Sequence, residues 1–319
     1  LHNYLISNLE KDIYSIKKPE FGSFYDIAFK NIKSKKNDYL CVVWTQIEYL
    51  VRGFNKLIFY QNIDLRELIK ETDQYINILK QLAKKNDHVL VFSWVLPDNE
   101  TGKFLRDFTD SNGLIKNVNF LNLKIANELR DIKNIYLINS DKIISKNNSD
   151  FNPKYWYSAK IPYSQKVFQH AAYEISNILN LFLGKNIKLI ILDLDNTIWG
   201  GNLGDLGWEK ITLGGHSMLG EAFRDFQKKL KSLTNLGVQL AISSKNDEKN
   251  VLEALERNEE MVLKTKDFVT WKINWEDKAK NIKEIIKELN LSQENILFLD
   301  DNIRERMRVK SSLKKVQVP

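Results

Sequence analysis

A chain of 319 residues, 43% hydrophobic and with a formal net charge of +7, is long enough for about two globular domains. Its single cysteine excludes a disulfide framework and suits a reducing, cytoplasmic setting, and no apolar run approaches the ~18–20 residues that a membrane-spanning helix needs, so no membrane partner is expected. The lysines are scattered, the pattern of a solvated surface whose field draws phosphorylated or acidic partners; without a recognisable nucleic-acid module, a nucleic-acid partner is not expected.

In chain order, the first half alternates strand and helix patterns. Leu1 already lies in an amphipathic, helix-like stretch. Residues 39–45 predict a strand, and 64–85 a helix through Leu65, Leu68, Ile69, Ile76, Leu79 and Leu82. Residues 88–94 predict a second strand, 118–132 a helix and 134–138 a third strand. Residues 163–184 predict a long helix with Val167, Ala171, Ile175, Ile178, Leu179 and Leu183 on one side and Gly184 as its C-cap. This alternation predicts an α/β domain over 1–184 with a parallel, flavodoxin-like sheet in three layers. Cys41 falls in the first strand, where a buried packing role is expected. Trp156, Tyr157 and Tyr163 make an aromatic patch, for which core packing is the commoner outcome.

A short hinge, 184–186, leads into the second domain, 185–319, and its most informative run: Lys188-Leu-Ile-Ile-Leu-Asp193-Leu-Asp195-Asn-Thr197-Ile-Trp199-Gly200-Gly201. Four apolar residues enter two carboxylates spaced i, i+2, then a threonine and a Gly-rich turn. This reads as a buried parallel strand with acids at its C-terminal end, where open α/β sheets bind ligands. Two carboxylates so placed are explained by a hard cation such as Mg²⁺; without one, like charges push one pKa up. Next, 200–220 holds seven of the thirteen glycines, with Leu203, Leu206, Trp208, Ile211 and Leu213 loosely alternating, which predicts a short β-flap as a minimal cap. Three further segments follow. Gly237-Val-Gln-Leu-Ala-Ile-Ser243-Ser244-Lys245-Asn246 is a second apolar strand ending in hydroxyls. Asn274-Trp275-Glu276-Asp277-Lys278 opens a helix carrying Ala279, Ile282, Ile285, Ile286 and Leu289 at helical spacing, with Asp277 as the expected cap. Asn295-Ile-Leu-Phe-Leu-Asp300-Asp301-Asn302 is a third strand ending in acids.

These four motifs, in this order, resemble those of the haloacid dehalogenase-like (HAD) phosphohydrolase superfamily, whose core is Rossmannoid. The resemblance implies roles at matching positions: Asp193 as nucleophile, Asp195 as general acid and base, Ser244 as a hydrogen-bond donor to the transferring phosphoryl group, and Lys278 as charge compensation. It implies Mg²⁺ held by the Asp193 carboxylate, the Asp195 carbonyl and Asp300, with Asp301 in the outer shell. Ser243 is the alternative motif hydroxyl, but Ser244 adjoins Lys245-Asn246 and is preferred. The phrases around 193–201, 220–227, 244–246, 273–278 and 298–302 narrow the likeness to the FkbH-like family. That implies a phosphatase acting through an aspartyl-phosphate on a small phosphorylated acid, of phosphoglycerate type, with an acyl carrier protein as a partner. Ser243 stands where that family usually has a cysteine suited to carry an acyl thioester, which favours hydrolysis over acyl transfer. Thr197, Trp199, Gly200, Lys245, Asn246, Asn302, Arg304 and His216 are further candidates for contact with substrate or with the primary residues.

The first domain is similar to the SGNH-hydrolase-like domain that often precedes such a core. Its hydrolase residues are absent: Trp44-Thr45-Gln46 and Ser158-Ala-Lys-Ile-Pro162 occupy the expected block positions, and His170 sits within the long helix. A non-catalytic role in binding or orientation is therefore expected. The start at Leu1 and the apolar end at 316–319 lead us to expect a longer native chain. Other functions compatible with the motifs are a sugar or protein phosphatase of the small magnesium-dependent type and a non-catalytic acyl-carrier-protein docking module.

Overall fold

The computed structural model describes residues 1–8, 15–17, 22–34, 38–59, 61–96, 104–147, 153–215 and 217–319. The chain divides into two compact units, Leu1–Leu179 and Asn180–Pro319.

The first unit carries a parallel sheet of β1 (Leu40–Val43), β2 (His88–Phe92) and β3 (Ile135–Ile138), paired in that order. Along β2, Val89 and Val91 join a core with the helices Phe24–Lys33, Leu65–Lys85 and Leu114–Leu129, while Phe92, on the opposite face, stacks on Trp44. The helix Gln165–Phe182 adds Phe168 against that Trp44 ring. Helix ends follow local chemistry. Asp64 accepts the Arg66 N–H as an N-cap, and Gly184, at φ 72°, supplies the left-handed residue after the long helix while Lys185 N–H returns to the Asn180 carbonyl.

The second unit is built on a four-stranded parallel sheet, β4 (Leu189–Leu192), β5 (Gln239–Ser244), β6 (Thr270–Ile273) and β7 (Ile296–Leu299), in the order β6-β5-β4-β7. Every residue of β4 is buried because helices cover both faces, the reason its sequence is a continuous apolar run. Its side chains alternate between two cores. Ile190 and Leu192 pack with the helices Met218–Thr234 and Glu248–Arg257; Leu189 and Ile191 pack with Lys278–Glu288 and Ile303–Ser312. After β4 the chain adds strands outward on one side, then returns to place β7 on the other. The C-terminal end of β4 is therefore the point where connections diverge, the usual position of a ligand crevice.

Between β4 and the Met218–Thr234 helix, the glycine-rich segment closes with a single antiparallel bridge, Gly200 to Thr212, around a one-turn helix, Leu203–Leu206. The loose alternation in its sequence is thus spent mostly on turns: Gly201 and Gly207 both take positive φ, at 95° and 74°, where a ladder would need extended backbone. Gln317 adds a parallel bridge to Leu297 on the outer side of β7.

Candidate active site

Three neighbouring strands end together, and each delivers polar side chains where its apolar run stops. Asp193 follows β4, Ser244 closes β5, and Asp300 follows β7, while Lys278 is the first residue of its helix, capped by the Asp277 side chain. All four side chains are buried.

Their contacts form one network. Ser244 Oγ donates to Asp193 Oδ1 at 2.7 Å. The Lys278 ammonium lies 2.9 Å from Asp193 Oδ2 and 2.6 Å from Asp300 Oδ2, so one cation bridges carboxylates from two strands. Carboxylate oxygens of Asp193, Asp300 and Asp301 fall within 4.8 Å of one another, a group able to hold a metal ion. Asp195 faces elsewhere: its Oδ1 accepts from the Trp199 indole at 2.9 Å and from Leu203 N–H at 3.0 Å, and its Oδ2 from Asn246 at 2.9 Å. Its carboxylate is therefore not among the three clustered acids.

The electrostatics follow from this crowding. Burial, and then the Asp193 charge, push both Asp300 and Asp301 above the ordinary carboxylate range. Burial alone would depress Lys278, but Asp193 and Asp300 outweigh it and raise the ammonium's pKa. Three acids share one lysine, and hard oxygen donors with excess negative charge are the donor set that a divalent cation such as Mg²⁺ takes.

The other sequence-derived candidates have varied placements. Asn246 connects Asp195 with Ser244, and Thr197 Oγ1 accepts the Asp301 N–H at 3.2 Å. Asn302 gives its N–H to Asp300 Oδ1 at 2.8 Å and caps the next helix. Lys245 pairs with Glu305 at 2.7 Å. Trp199 is fully buried, so it orients Asp195 and presents no face to a substrate. Gly200 lies at the flap bridge, where a Cβ would come within 3.0 Å of Phe223 and Thr212. Arg304 is exposed, and its N–H donates to Asn302 Oδ1. His216 lies outside the described residues. Asp301, read from sequence as an outer-shell group, stands in the acid cluster itself. Ser243 is wholly buried with an unpartnered hydroxyl.

Sequence reading missed two contributors. Leu203 N–H is a backbone donor and carries no side-chain signal. Arg306, whose Nη1 donates to the Asp300 and Asp301 carbonyls at 2.7 and 2.9 Å, looks like any basic residue on an exposed helix.

In the first unit, the residues at the strand ends are tied to each other. Trp94 Nε1 donates to Thr45 Oγ1, which lies 3.3 Å from the Tyr75 hydroxyl. His170 contacts the Asn147 amide at 2.7 Å and Glu174 at 3.2 Å. Tyr163 stacks on Trp44, whereas Trp156 and Tyr157 carry the Lys160 ammonium over their rings. Cys41 is half-buried; burial and then Asp38 push its thiol up to about 11, the state of an unreactive packing residue.

No protein-family model matches the sequence, and no curated protein matches it. Among solved structures, the N-terminal part of the protein BF1531 from Bacteroides fragilis, which contains a phosphatase domain complexed with Mg, superposes with a TM-score of 0.83. The match has 28% identity and covers 100% of this chain and 85% of that one. Local matches include two sugar-acid phosphatases. The cobalt-bound deoxy-D-mannose-octulosonate 8-phosphate phosphatase of Haemophilus influenzae has 17% identity over 42% of this chain and 78% of its own, at a TM-score of 0.27. The 3-deoxy-D-manno-octulosonate 8-phosphate phosphatase of Moraxella catarrhalis, solved with magnesium, phosphate and KDO, has 18% identity over 41% and 68%, at 0.26. Over its whole length the chain thus shares the fold of a protein with a phosphatase domain, and its second unit is a Rossmannoid parallel sheet with helices on both faces.

Proposed function

We propose that this chain is a Mg²⁺-dependent phosphohydrolase that works through an aspartyl-phosphate on Asp193. The observation that carries this reading is the meeting of Asp193, Asp300 and Asp301 at one sheet edge, with Ser244 and Lys278 bonded to the same carboxylates. The Bacteroides fragilis structure, solved with Mg, supports the choice of ion. Asp193, Asp300 and Asp301 would hold Mg²⁺ through carboxylates, and Asp195 through its main-chain carbonyl because its side chain is engaged elsewhere. When bound, the ion neutralises charge on the phosphoryl oxygens.

The chain's own residues do the rest. An Asp193 oxygen attacks phosphorus as the bond to the leaving oxygen breaks, and Asp195 gives that oxygen its proton. Asp195, now a carboxylate, takes a proton from water, whose oxygen displaces Asp193 and releases phosphate. Ser244 and Lys278 orient Asp193 between these steps and offset the summed negative charge.

The substrate we favour is a small phosphorylated acid of glyceryl type, with an acyl carrier protein as partner, a reading that rests on the FkbH-like motifs. Hydrolysis is preferred over acyl transfer because Ser243 is sealed in the interior. The first unit then serves binding or orientation. The test is phosphate release with Mg²⁺ from a panel of phosphoglycerates, sugar phosphates and a phosphotyrosine peptide. Asp193→Asn is expected to lower turnover on the order of a thousandfold or more with circular dichroism unchanged; wild-type turnover in that variant would overturn the mechanism.

A further inference from the structure

The helix Ile303–Ser312 reaches three of the loops that build the site. Arg306 donates to the carbonyls that follow β7, Glu305 pairs with Lys245 after β5 at 2.7 Å, and Arg308 pairs with Asp277, the cap in front of Lys278. From these contacts we infer that the helix is a bracket that sets the spacing of the site, and that Arg306 is a positioning residue for the Asp300–Asp301 acid pair. The inference rests on the phosphohydrolase reading above and adds to it the group that pre-organises the metal-binding carboxylates.

The geometry of Arg306 is specific. One guanidinium nitrogen, Nη1, has no carboxylate partner among the described residues; it donates to two consecutive peptide carbonyls, at 2.7 Å to Asp300 and 2.9 Å to Asp301. Two adjacent peptide planes are thereby fixed against the helix, and with them the directions in which both carboxylates leave the backbone. The other constraints act on the same turn: Asp301 N–H donates to Thr197, and Asn302 N–H to Asp300 Oδ1. Because the guanidinium bonds carbonyl oxygens, it orders the acids and leaves their carboxylate charge for a cation. Groups that orient metal ligands in this way typically contribute about 10- to 100-fold in metal affinity or activity. A lysine would bring one compact ammonium on a flexible stem and could not hold both carbonyls as rigidly.

The experiment measures Mg²⁺ binding by calorimetry, using MgCl₂ alone, on the full chain and on Arg306→Ala and Arg306→Lys. Phosphate release from p-nitrophenyl phosphate is followed alongside as a function of Mg²⁺. Arg306→Ala is expected to raise the Mg²⁺ dissociation constant about tenfold, with Arg306→Lys in between. The half-saturating Mg²⁺ concentration for phosphate release should move in parallel, while kcat at saturating Mg²⁺ changes less. Should Arg306→Ala fail to fold, Arg306→Lys decides alone. A dissociation constant unchanged from wild type in the folded variants overturns the inference. A wild-type chain that binds Mg²⁺ yet releases no phosphate from any ester overturns the phosphohydrolase reading alone, and the calorimetry still decides the role of Arg306. A wild-type chain that binds no Mg²⁺ overturns both.

Discussion

Asp193 and Asp195 stand two residues apart and meet opposite surroundings. Asp193 turns toward the buried Lys278 and Ser244, while Asp195 is held by the Trp199 indole, the Leu203 N–H and the Asn246 amide. The division suits the two roles: the proposed nucleophile sits in a field of donors, and the proposed acid and base is kept in one orientation. Trp199 is the largest fully buried side chain among the described residues, so its ring fills space and its N–H aims a carboxylate at the same time. The two contributions can be separated. Trp199→Phe keeps most of the volume and removes the donor, so turnover should fall about tenfold, the loss associated with an orienting hydrogen bond, while KM and the melting temperature change little. Steady-state kinetics with thermal unfolding checks this, and an unchanged kcat would reduce Trp199 to packing alone.

The flap is the element whose sequence pattern and structure differ most. Its one bridge and one helical turn bring Leu203 N–H onto Asp195, which makes the cap part of the acid's setting. Gly201 permits this path: it takes φ 95°, and a Cβ there would also run into Leu206. Gly201→Ala is expected to cost about 1–3 kcal/mol by chemical denaturation and to lower kcat more than KM, because Leu203 moves off Asp195. Equal stability and activity would mean the flap tolerates another route. The long helices behave more simply. Leu65–Lys85 and Lys278–Glu288 begin just after an aspartate cap, because a side-chain acceptor satisfies N–H groups left open by the first turn.

At the scale of the whole molecule, the two units contrast in sheet order. The second places β7 on the far side of β4, and the proposed site lies where those connections part; the described strands of the first run in simple succession, β1-β2-β3. His170 there is bonded to Asn147 and Glu174. The chain is accordingly expected to release phosphate with Mg²⁺ yet hydrolyse p-nitrophenyl acetate no faster than buffer; serine-type esterase turnover would contradict a non-catalytic first unit. The sequence by itself marked six of the seven described strands, all but β6, since a local apolar run signals each, and the resemblance of its motifs singled out Asp193, Ser244, Lys278 and Asp300. The tertiary structure alone decided which carboxylates meet. Asp301 joins the acid cluster and the Asp195 side chain leaves it because sheet twist and loop path set side-chain direction, and no local pattern records that. The same holds for Arg306 and Leu203: their partners are near in sequence, yet the path of the turn between them decides which backbone group or carboxylate each one meets.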